Sequence, residues 1–226
     1  MILKTKDYTI NKITSNYFTM SDVIQILKKV GAILPNDHFV GTSGLHIDTY
    51  INKDMLYLHT RDTSEICKMF AEKYKDQNIE AVVGPAVGGI ILSQWTAYHL
   101  SEITGKEVLA LYTEKDADKN QVFTRGYDKF AKGKRILFVE DLVTTGGSVM
   151  KAIKSVEAVG GIVAGVCVMV NKNPTQVNKE HLGVEIDALS VYEVATFEAD
   201  ACPMCKSAVP VNVTVGHGKK FLESKK

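Results

Sequence analysis

Residues 135–153 read Arg-Ile-Leu-Phe-Val-Glu-Asp-Leu-Val-Thr-Thr-Gly-Gly-Ser-Val-Met-Lys-Ala-Ile. Arg135 to Val139 is a short apolar run with the length and branching of a buried strand. From Ser148 to Val159, apolar residues recur at Val149, Ile153, Val156 and Val159, close to helical spacing, and the Gly160-Gly161 pair ends the run. The stretch predicts strand, tight loop, helix. Two acids, Glu140 and Asp141, fall at the strand's carboxyl end, and Thr144, Thr145, Gly146, Gly147 and Ser148 lead into the helix. Glycines let consecutive backbone N–H groups turn toward one point, hydroxyls add donors, and the helix N-terminus adds positive potential, so the loop suits a phosphate. The paired acids suit ribose hydroxyls or Mg²⁺. Together they describe a grip for a phosphorylated sugar. A P-loop in its usual form is excluded, because no Lys follows the glycines.

The neighbouring segments repeat the alternation. Ala81 to Gly84 is a short buried strand, Pro85-Ala86-Val87-Gly88-Gly89 turns, and Ile90 to Ile103 continues as a helix ending near Gly105. Its glycines do not form G-x-G-x-x-G, so a dinucleotide fold is a poor reading. Val108 to Tyr112, Ile162 to Val170 and Ile186 to Val194 are further strands. Ahead of them, Asp62 to Tyr74 is a helix with Asp62 and Glu65 in capping-box-like spacing and Ile66, Phe70 and Tyr74 on one face. Ser21 is a candidate N-cap for a helix through Val23, Ile24, Leu27 and Val30 that Gly31 closes, and Ala32 to Tyr57 reads as short strands and turns. The fold class is therefore α/β, a parallel sheet flanked by helices, with its site at the carboxyl ends of the strands. Three segments are expected there: 85–89, the polar stretch 113–134 and 140–148. The polar stretch has two readings, a lid that closes over a reactive intermediate and a solvated hairpin.

Composition bounds the function. The 226 residues allow one large domain or one with an appendage, and 45% hydrophobic with 23% charged residues is ordinary for a globular protein. A net charge of +1 gives no case for a nucleic-acid partner or an anionic membrane, and no apolar run approaches the ~20 residues of a membrane span. The segment from Met1 to Tyr8 lacks a secretory pattern, so a cytoplasmic enzyme is expected. Cys67 and Cys167 sit in apolar patterns as buried thiols, whereas Cys202 and Cys205 form a Cys-Pro-Met-Cys pair. A zinc site normally takes four ligands and one such pair offers two, with His217 a candidate third. A structural turn is the preferred reading of that tail, and no thioredoxin-like context supports a redox dithiol.

The branched apolar run, two acids and Thr-Thr-Gly-Gly-Ser resemble the phosphoribosyl pyrophosphate (PRPP) signature of the type I phosphoribosyltransferases, with orotate phosphoribosyltransferases the most similar branch. The resemblance implies that Thr144, Thr145, Gly146, Gly147 and Ser148 anchor the 5′-phosphate. It implies that Ala86, Val87, Gly88 and Gly89 meet pyrophosphate, and that Glu140 and Asp141 hold the ribose hydroxyls and Mg²⁺ as catalytic groups. In the lid, Lys115 falls on a family lysine and is the first catalytic choice. Lys119 and Arg125 are further candidate PRPP contacts: Asp118 and Asn120 stand where many members carry Lys and His, which leaves Lys119 as a displaced substitute, and Arg125-Gly126-Tyr127 resembles a variant lid ending in Arg-Gly-aromatic. The segment from Gly41 to Asn52 is similar to the family's base-contacting segment, which points to Thr42 and Tyr50. Thr42 replaces a frequent Lys, and Ile51 replaces the second residue of an aromatic pair. After the strand ending at Val170, Lys172 stands near a family Arg positioned for the orotate carboxylate, although Lys lacks the bidentate fork. The tail, with Val209-Pro210 and Gly216-His217-Gly218, resembles the C-terminal segment of some orotate-type members.

The implied organisation is an N-terminal helix and hood segment over 1–60, a PRPP-binding core over 61–195, and a tail over 196–226 that completes the hood. The implied reaction is transfer of the phosphoribosyl group from PRPP to a nucleobase, orotate first, with Mg²⁺ as cofactor and a homodimer as the assembly. Two alternatives stay open: transfer to another base in purine or pyrimidine salvage, and a non-catalytic PRPP-binding regulator.

Overall fold

The computed structural model describes residues 20–41 and 43–225, so Thr42 and the segment from Met1 to Tyr8 lie outside the described residues, as does the Ser21 side chain. In chain order the elements are α1 (Met20–Lys29), β1 (Ile33–Leu34), β2 (Phe39–Val40), β3 (His46–Ile47), β4 (Tyr50–Ile51), α2 (Asp54–Tyr57) and α3 (Thr60–Tyr74). There follow β5 (Ala81–Pro85), α4 (Gly88–Thr104), β6 (Leu109–Lys115), β7 (Gln121–Phe123), α5 (Asp128–Ala131), β8 (Arg135–Val143) and α6 (Gly147–Ala158). The chain ends with β9 (Ile162–Asn171), α7 (Lys179–Leu182), β10 (Ile186–Val191), β11 (Thr196–Phe197), α8 (Pro203–Lys206) and α9 (Gly218–Glu223).

Six strands form the main sheet in the order β10-β9-β8-β5-β6-β7, parallel except for β7, which turns back antiparallel on β6. Strand pleating sends alternate side chains to opposite faces, and two cores result. Val82, Leu137, Val139, Cys167 and Met169 pack under α1, α3 and α4, with Leu27, Ile66, Phe70, Leu92 and Leu100. Ala81, Val83, Ile136, Phe138, Val166 and Val168 face the other way, against Val149, Ala152, Ile153 and Val156 of α6. Because both faces are covered, the central strands read as unbroken apolar runs rather than alternating ones.

Several boundaries differ from the sequence expectation for local reasons. β8 runs on through the acids to Val143, because Glu140, Leu142 and Val143 continue the ladder with Val168, Val170 and Asn171 of β9. Helix α1 already includes Met20, one residue before the expected cap. Helix α3 starts at Thr60 without a side-chain cap, and the expected capping acid Asp62 instead accepts an ion pair from Lys29 of α1 at 2.7 Å. The Thr63 hydroxyl holds the turn by donating to the carbonyls of Leu56 and His59. The last strand of the main sheet stops at Val191, and the tail forms β11, α8 and α9 where a turn was expected.

The strands outside the main sheet are two residues long. β1 pairs with β4, and a three-stranded sheet has the order β11-β3-β2, so Thr196 and Phe197 lie against Ile47 and His46. Among the described residues no helix is long and apolar enough to cross a membrane. Phe138 is fully buried between β5 and β9, under α6. Phe138→Ala should lower unfolding stability by about 3–5 kcal/mol, seen as a reduced denaturation midpoint at unchanged m-value.

Candidate active site

In chain order β6 follows β5 on one side, whereas β8 lies on the other side of β5. The strand order therefore reverses between β5 and β8. Helix α4, which follows β5, covers one face, and α6, which follows β8, covers the other. Such a reversal leaves a crevice at the carboxyl ends, where open α/β sheets bind ligands. The β5–β8 pairing ends at Val83 and Phe138, and both glycine loops and both acids lie beyond it.

Loop 85–89 is packed backbone on backbone. A Cβ at Gly84 would stand 2.3 Å from the Gly89 carbonyl oxygen, and one at Gly89 would stand 2.5 Å from Pro85 Cδ. The Ala86–Val87 peptide is cis. Ala86 N–H donates to the Thr113 carbonyl of β6 at 2.7 Å, so of the four expected pyrophosphate amides this one is committed within the protein. Those of Gly88 and Gly89 belong to the first turn of α4, whose N–H groups have no partner within the helix.

Gly88 brings that turn against the acids. A Cβ there would lie 2.4 Å from Asp141 Oδ2 and 2.5 Å from the Tyr57 hydroxyl. Both carboxylates are nearly buried, Glu140 at 8% and Asp141 at 6% exposure. Asp141 shares its pleat parity with Leu137 and Val139, which turns it toward α2 and α4. Tyr57 donates to its Oδ2 at 2.9 Å and Lys53 Nζ lies 3.2 Å from the same oxygen, while Leu142 N–H donates to Oδ1 at 2.7 Å. Glu140 shares the opposite parity, and its Oε1 accepts from Asp141 N–H at 3.0 Å. Burial and then the Asp141 charge hold the Glu140 carboxyl well above the usual carboxylate range. Burial works against charge on Lys53, but Asp141 and Asp54 outweigh it and raise its pKa.

After β8, Gly146 adopts φ 75° and α6 begins at Gly147, one residue before the expected start. The loop Thr144 to Ser148 thus turns directly into the positive end of a 12-residue helix. The His181 ring lies behind it, with Nε2 3.3 Å from the Thr145 carbonyl oxygen. Lys172 is drawn into the same edge by its N–H, which donates to the Val143 carbonyl at 2.9 Å. It is half-buried, and burial lowers its pKa. No carboxylate lies within ion-pair distance of it among the described residues.

The polar stretch forms a hairpin: Thr113, Glu114 and Lys115 pair with Phe123, Val122 and Gln121. Lys115 and Lys119 are exposed, and neither pairs with Glu140 or Asp141 among the described residues. The Lys119 carbonyl accepts from Lys151 Nζ of α6 at 2.8 Å, and Arg125 Nε lies 3.7 Å from Glu114 Oε2. Tyr50 is half-buried with its ring centroid 5.5 Å from that of Phe39, and within the electrostatic reach of Asp54 and Lys53. Of the segment 41–52, His46 is fully buried and turned toward Cys205 rather than toward the crevice. A separate cleft of about 400 Å³ beside Ser64, Lys68, Trp95 and His99 shares no residue with these loops.

Two glycine-bearing loops and an acid pair thus meet at one switch point. The family model of the phosphoribosyl transferase domain covers residues 54–202. The chain belongs to the phosphoribosyltransferase family. Orotate phosphoribosyltransferase of Bartonella tribocorum is 37% identical over 193 residues, 84% of this chain and 93% of that protein. The orotate phosphoribosyltransferase of Desulforamulus reducens is 35% identical over 189 residues, with the same two coverages. The crystal structure of Mycobacterium tuberculosis orotate phosphoribosyltransferase with Fe(III) dicitrate superimposes with TM-score 0.62, at 22% identity over 76% of this chain and 95% of that one. Adenine phosphoribosyltransferase of Thermoanaerobacter pseudethanolicus gives TM-score 0.58 at 16% identity over 77% of this chain and 100% of that one. Enzymes named for two bases thus share the fold, which by itself selects neither.

In this phosphoribosyltransferase the sequence reading missed Lys53, Tyr57 and His181. Lys53 and Tyr57 are four residues apart, a spacing that puts both on one side of a helical turn, and the Lys53 ammonium sits 5.5 Å from the Tyr57 ring centroid. That spacing was the available signal. His181 carries no local signal, since only the packing of α7 brings it to Thr145.

The glycine contacts separate two kinds of failure. Gly84→Ala should impair folding and soluble yield, because its Cβ meets main chain. Gly88→Ala should fold, since its Cβ meets side chains, but displace Asp141 and lower kcat/KM on the order of 10²-fold, as small misplacements in a site do. Circular dichroism with steady-state kinetics on both variants checks this.

Proposed function

We propose that the enzyme transfers the 5-phosphoribosyl group of PRPP to orotate, releasing pyrophosphate and orotidine 5′-monophosphate. The observation that carries the PRPP half is the meeting at Gly88 of the pyrophosphate-type loop with the Asp141 carboxylate, beside the amide loop that opens α6. Support for orotate is the 37% and 35% identity, over 84% of the chain, to enzymes named for that base.

In this reading Thr144 to Ser148 bind the 5′-phosphate, supplying binding energy remote from the bond that breaks. Glu140 and Asp141 hold the ribose hydroxyls from the two faces of the sheet. As the bond to pyrophosphate stretches, positive charge grows on the ribose ring, and carboxylates in a site with little water stabilise it strongly. The amides of Val87, Gly88 and Gly89 receive the leaving pyrophosphate. Lys115, with Lys119 and Arg125, neutralises it when the hairpin bends over the crevice. Mg²⁺ fits the oxygen donors here, since Glu140 is a buried carboxyl with no cation in ion-pair contact among the described residues. Glu140 and Asp141 would hold it, and it would screen the charge of the pyrophosphate. Lys172 meets the orotate carboxylate, with Tyr50 and Thr42 toward the base from the N-terminal segment. That segment and the tail form a hood over the core, and the enzyme works as a cytoplasmic homodimer, in keeping with the family. The free buried thiols Cys67 and Cys167 suit a reducing compartment.

Pyrophosphate release measured with PRPP, Mg²⁺ and a panel of bases tests the reading. Turnover is expected with orotate alone. Turnover with a purine or uracil instead would transfer the reading to salvage, and PRPP binding without any turnover would make the protein a regulator. Asp141→Asn should lower kcat on the order of 10²-fold.

Lys172 gives a pH signature. Burial lowers its pKa from 10.5, so its ammonium is lost at a lower pH than that of an ordinary lysine. Since the charged form is the one that pairs with a carboxylate, kcat/KM for orotate should fall with rising pH before the ordinary lysine range is reached. Lys172→Arg should abolish that fall, and Lys172→Ala should raise KM for orotate by roughly 10-fold or more while sparing KM for PRPP.

A further inference from the structure

The two cysteines of the tail do not face each other alone. Cys202 lies immediately before α8 and Cys205 within it, His38 immediately precedes β2, and His46 is in β3. The four candidate ligand atoms, His38 Nε2, His46 Nδ1 and both Sγ, all lie within 4.8 Å of one another. Cys202 Sγ and Cys205 Sγ are each 3.7 Å from His38 Nε2, and Cys205 Sγ is 3.4 Å from His46 Nδ1. Zn–N bonds of about 2.0 Å and Zn–S bonds of about 2.3 Å make a tetrahedron whose N-to-S edges are about 3.5 Å. The sulfur–nitrogen distances therefore already have the size of its edges. The two ring nitrogens, at 2.7 Å, stand about half an ångström inside the corresponding N-to-N edge.

Burial and proton positions agree. His38, His46 and Cys202 are 1%, 0% and 0% exposed. His38 Nδ1 is 2.7 Å from the Val209 carbonyl oxygen, which can only accept, so this nitrogen carries the proton and Nε2 turns its lone pair into the cluster. A backbone carbonyl behind a ligating imidazole is the usual outer-shell support of a metal site. With a divalent cation, two thiolates and two neutral imidazoles sum to zero charge, the cheapest state for a buried site.

We propose that His38, His46, Cys202 and Cys205 bind one Zn²⁺ in a closed, structural site that staples the tail to the β2–β3 hairpin. Two sulfur and two imidazole donors in a tetrahedron suit zinc over the oxygen-preferring Mg²⁺, and four protein ligands leave no open position for catalysis. The staple has mechanical sense. The three-stranded sheet it would pin is made of two-residue strands, far below the size at which a small sheet is stable alone. It joins residues 164 positions apart along the chain, His38 and Cys202.

Tag-free full-length protein, purified without chelator, should carry about one zinc per chain, and X-ray absorption should show two S near 2.3 Å and two N near 2.0 Å. Cobalt replacement should give the intense absorption of a tetrahedral thiolate site. Cys205→Ser, the least buried ligand, and His46→Asn should each lower zinc content at least tenfold. Chelation of the wild-type protein should make the chain after Val191 protease-sensitive while residues 54–191 resist. Zinc below about a tenth per chain, full zinc retention in both variants, or a Cys202–Cys205 disulfide in protein purified without added oxidant would each overturn the site. Should the variants fail to fold, the absorption and cobalt spectra of the wild type decide alone, and none of these readouts depends on transferase activity.

Discussion

With no side chain at residue 88, a helix N-terminus can touch a buried carboxylate. That contact, between the first turn of α4 and Asp141 of β8, ties together the two halves of the site, which come from different strands and open on different faces of the sheet. Everything that grips the substrate in the proposed reaction is arranged around it. The amides of one loop lie on one side, and the phosphate loop entering α6 lies on the other. Lys53 and Tyr57 satisfy Asp141 from above. A carboxylate this buried needs such partners, because its oxygens are cut off from water. Glu140 has fewer, and burial followed by the Asp141 charge raises its pKa.

The core was legible because its signals are local. Branched apolar runs of four to nine residues, glycine stops and helical spacing mark β5, β8, β9, α4 and α6 without reference to anything distant. The loop Thr144 to Ser148 was legible for the same reason, since a loop and the helix it opens are contiguous. Boundaries slipped where pairing overrode composition. The apolar run stopped at Val139 with the acids at its end, but the strand continues to Val143, because β9 offers Glu140, Leu142 and Val143 a ladder. Asp62 read as a cap but serves an ion pair to a helix that lies 33 residues earlier.

The partners of the acids and of the thiols were not legible, for a single physical reason. Lys53, Tyr57 and His181, like His38 and His46, are brought into place by tertiary packing, and their immediate neighbours in sequence are unremarkable. Cys202 and Cys205 announced half of a ligand set. Proximity along the chain pointed to His217 for a third member, yet the rings that meet the thiols come from a hairpin more than 150 residues away. A two-residue β-ladder suffices to align them, since the pairing of Phe197 with His46 fixes where the tail crosses the hairpin.

That same pairing orders events during synthesis. His46 leaves the ribosome before any strand of the main sheet and is fully buried in the folded protein, but one of its flanking strands and the helix bearing Cys205 are made only after the last strand of that sheet. The parallel core from β5 to β10 contains all its own strands and can assemble while the tail is still being translated. The small sheet must wait for Thr196 and Phe197. A truncated or stalled chain therefore leaves β3 with an open edge, which is the feature that invites a strand from another molecule.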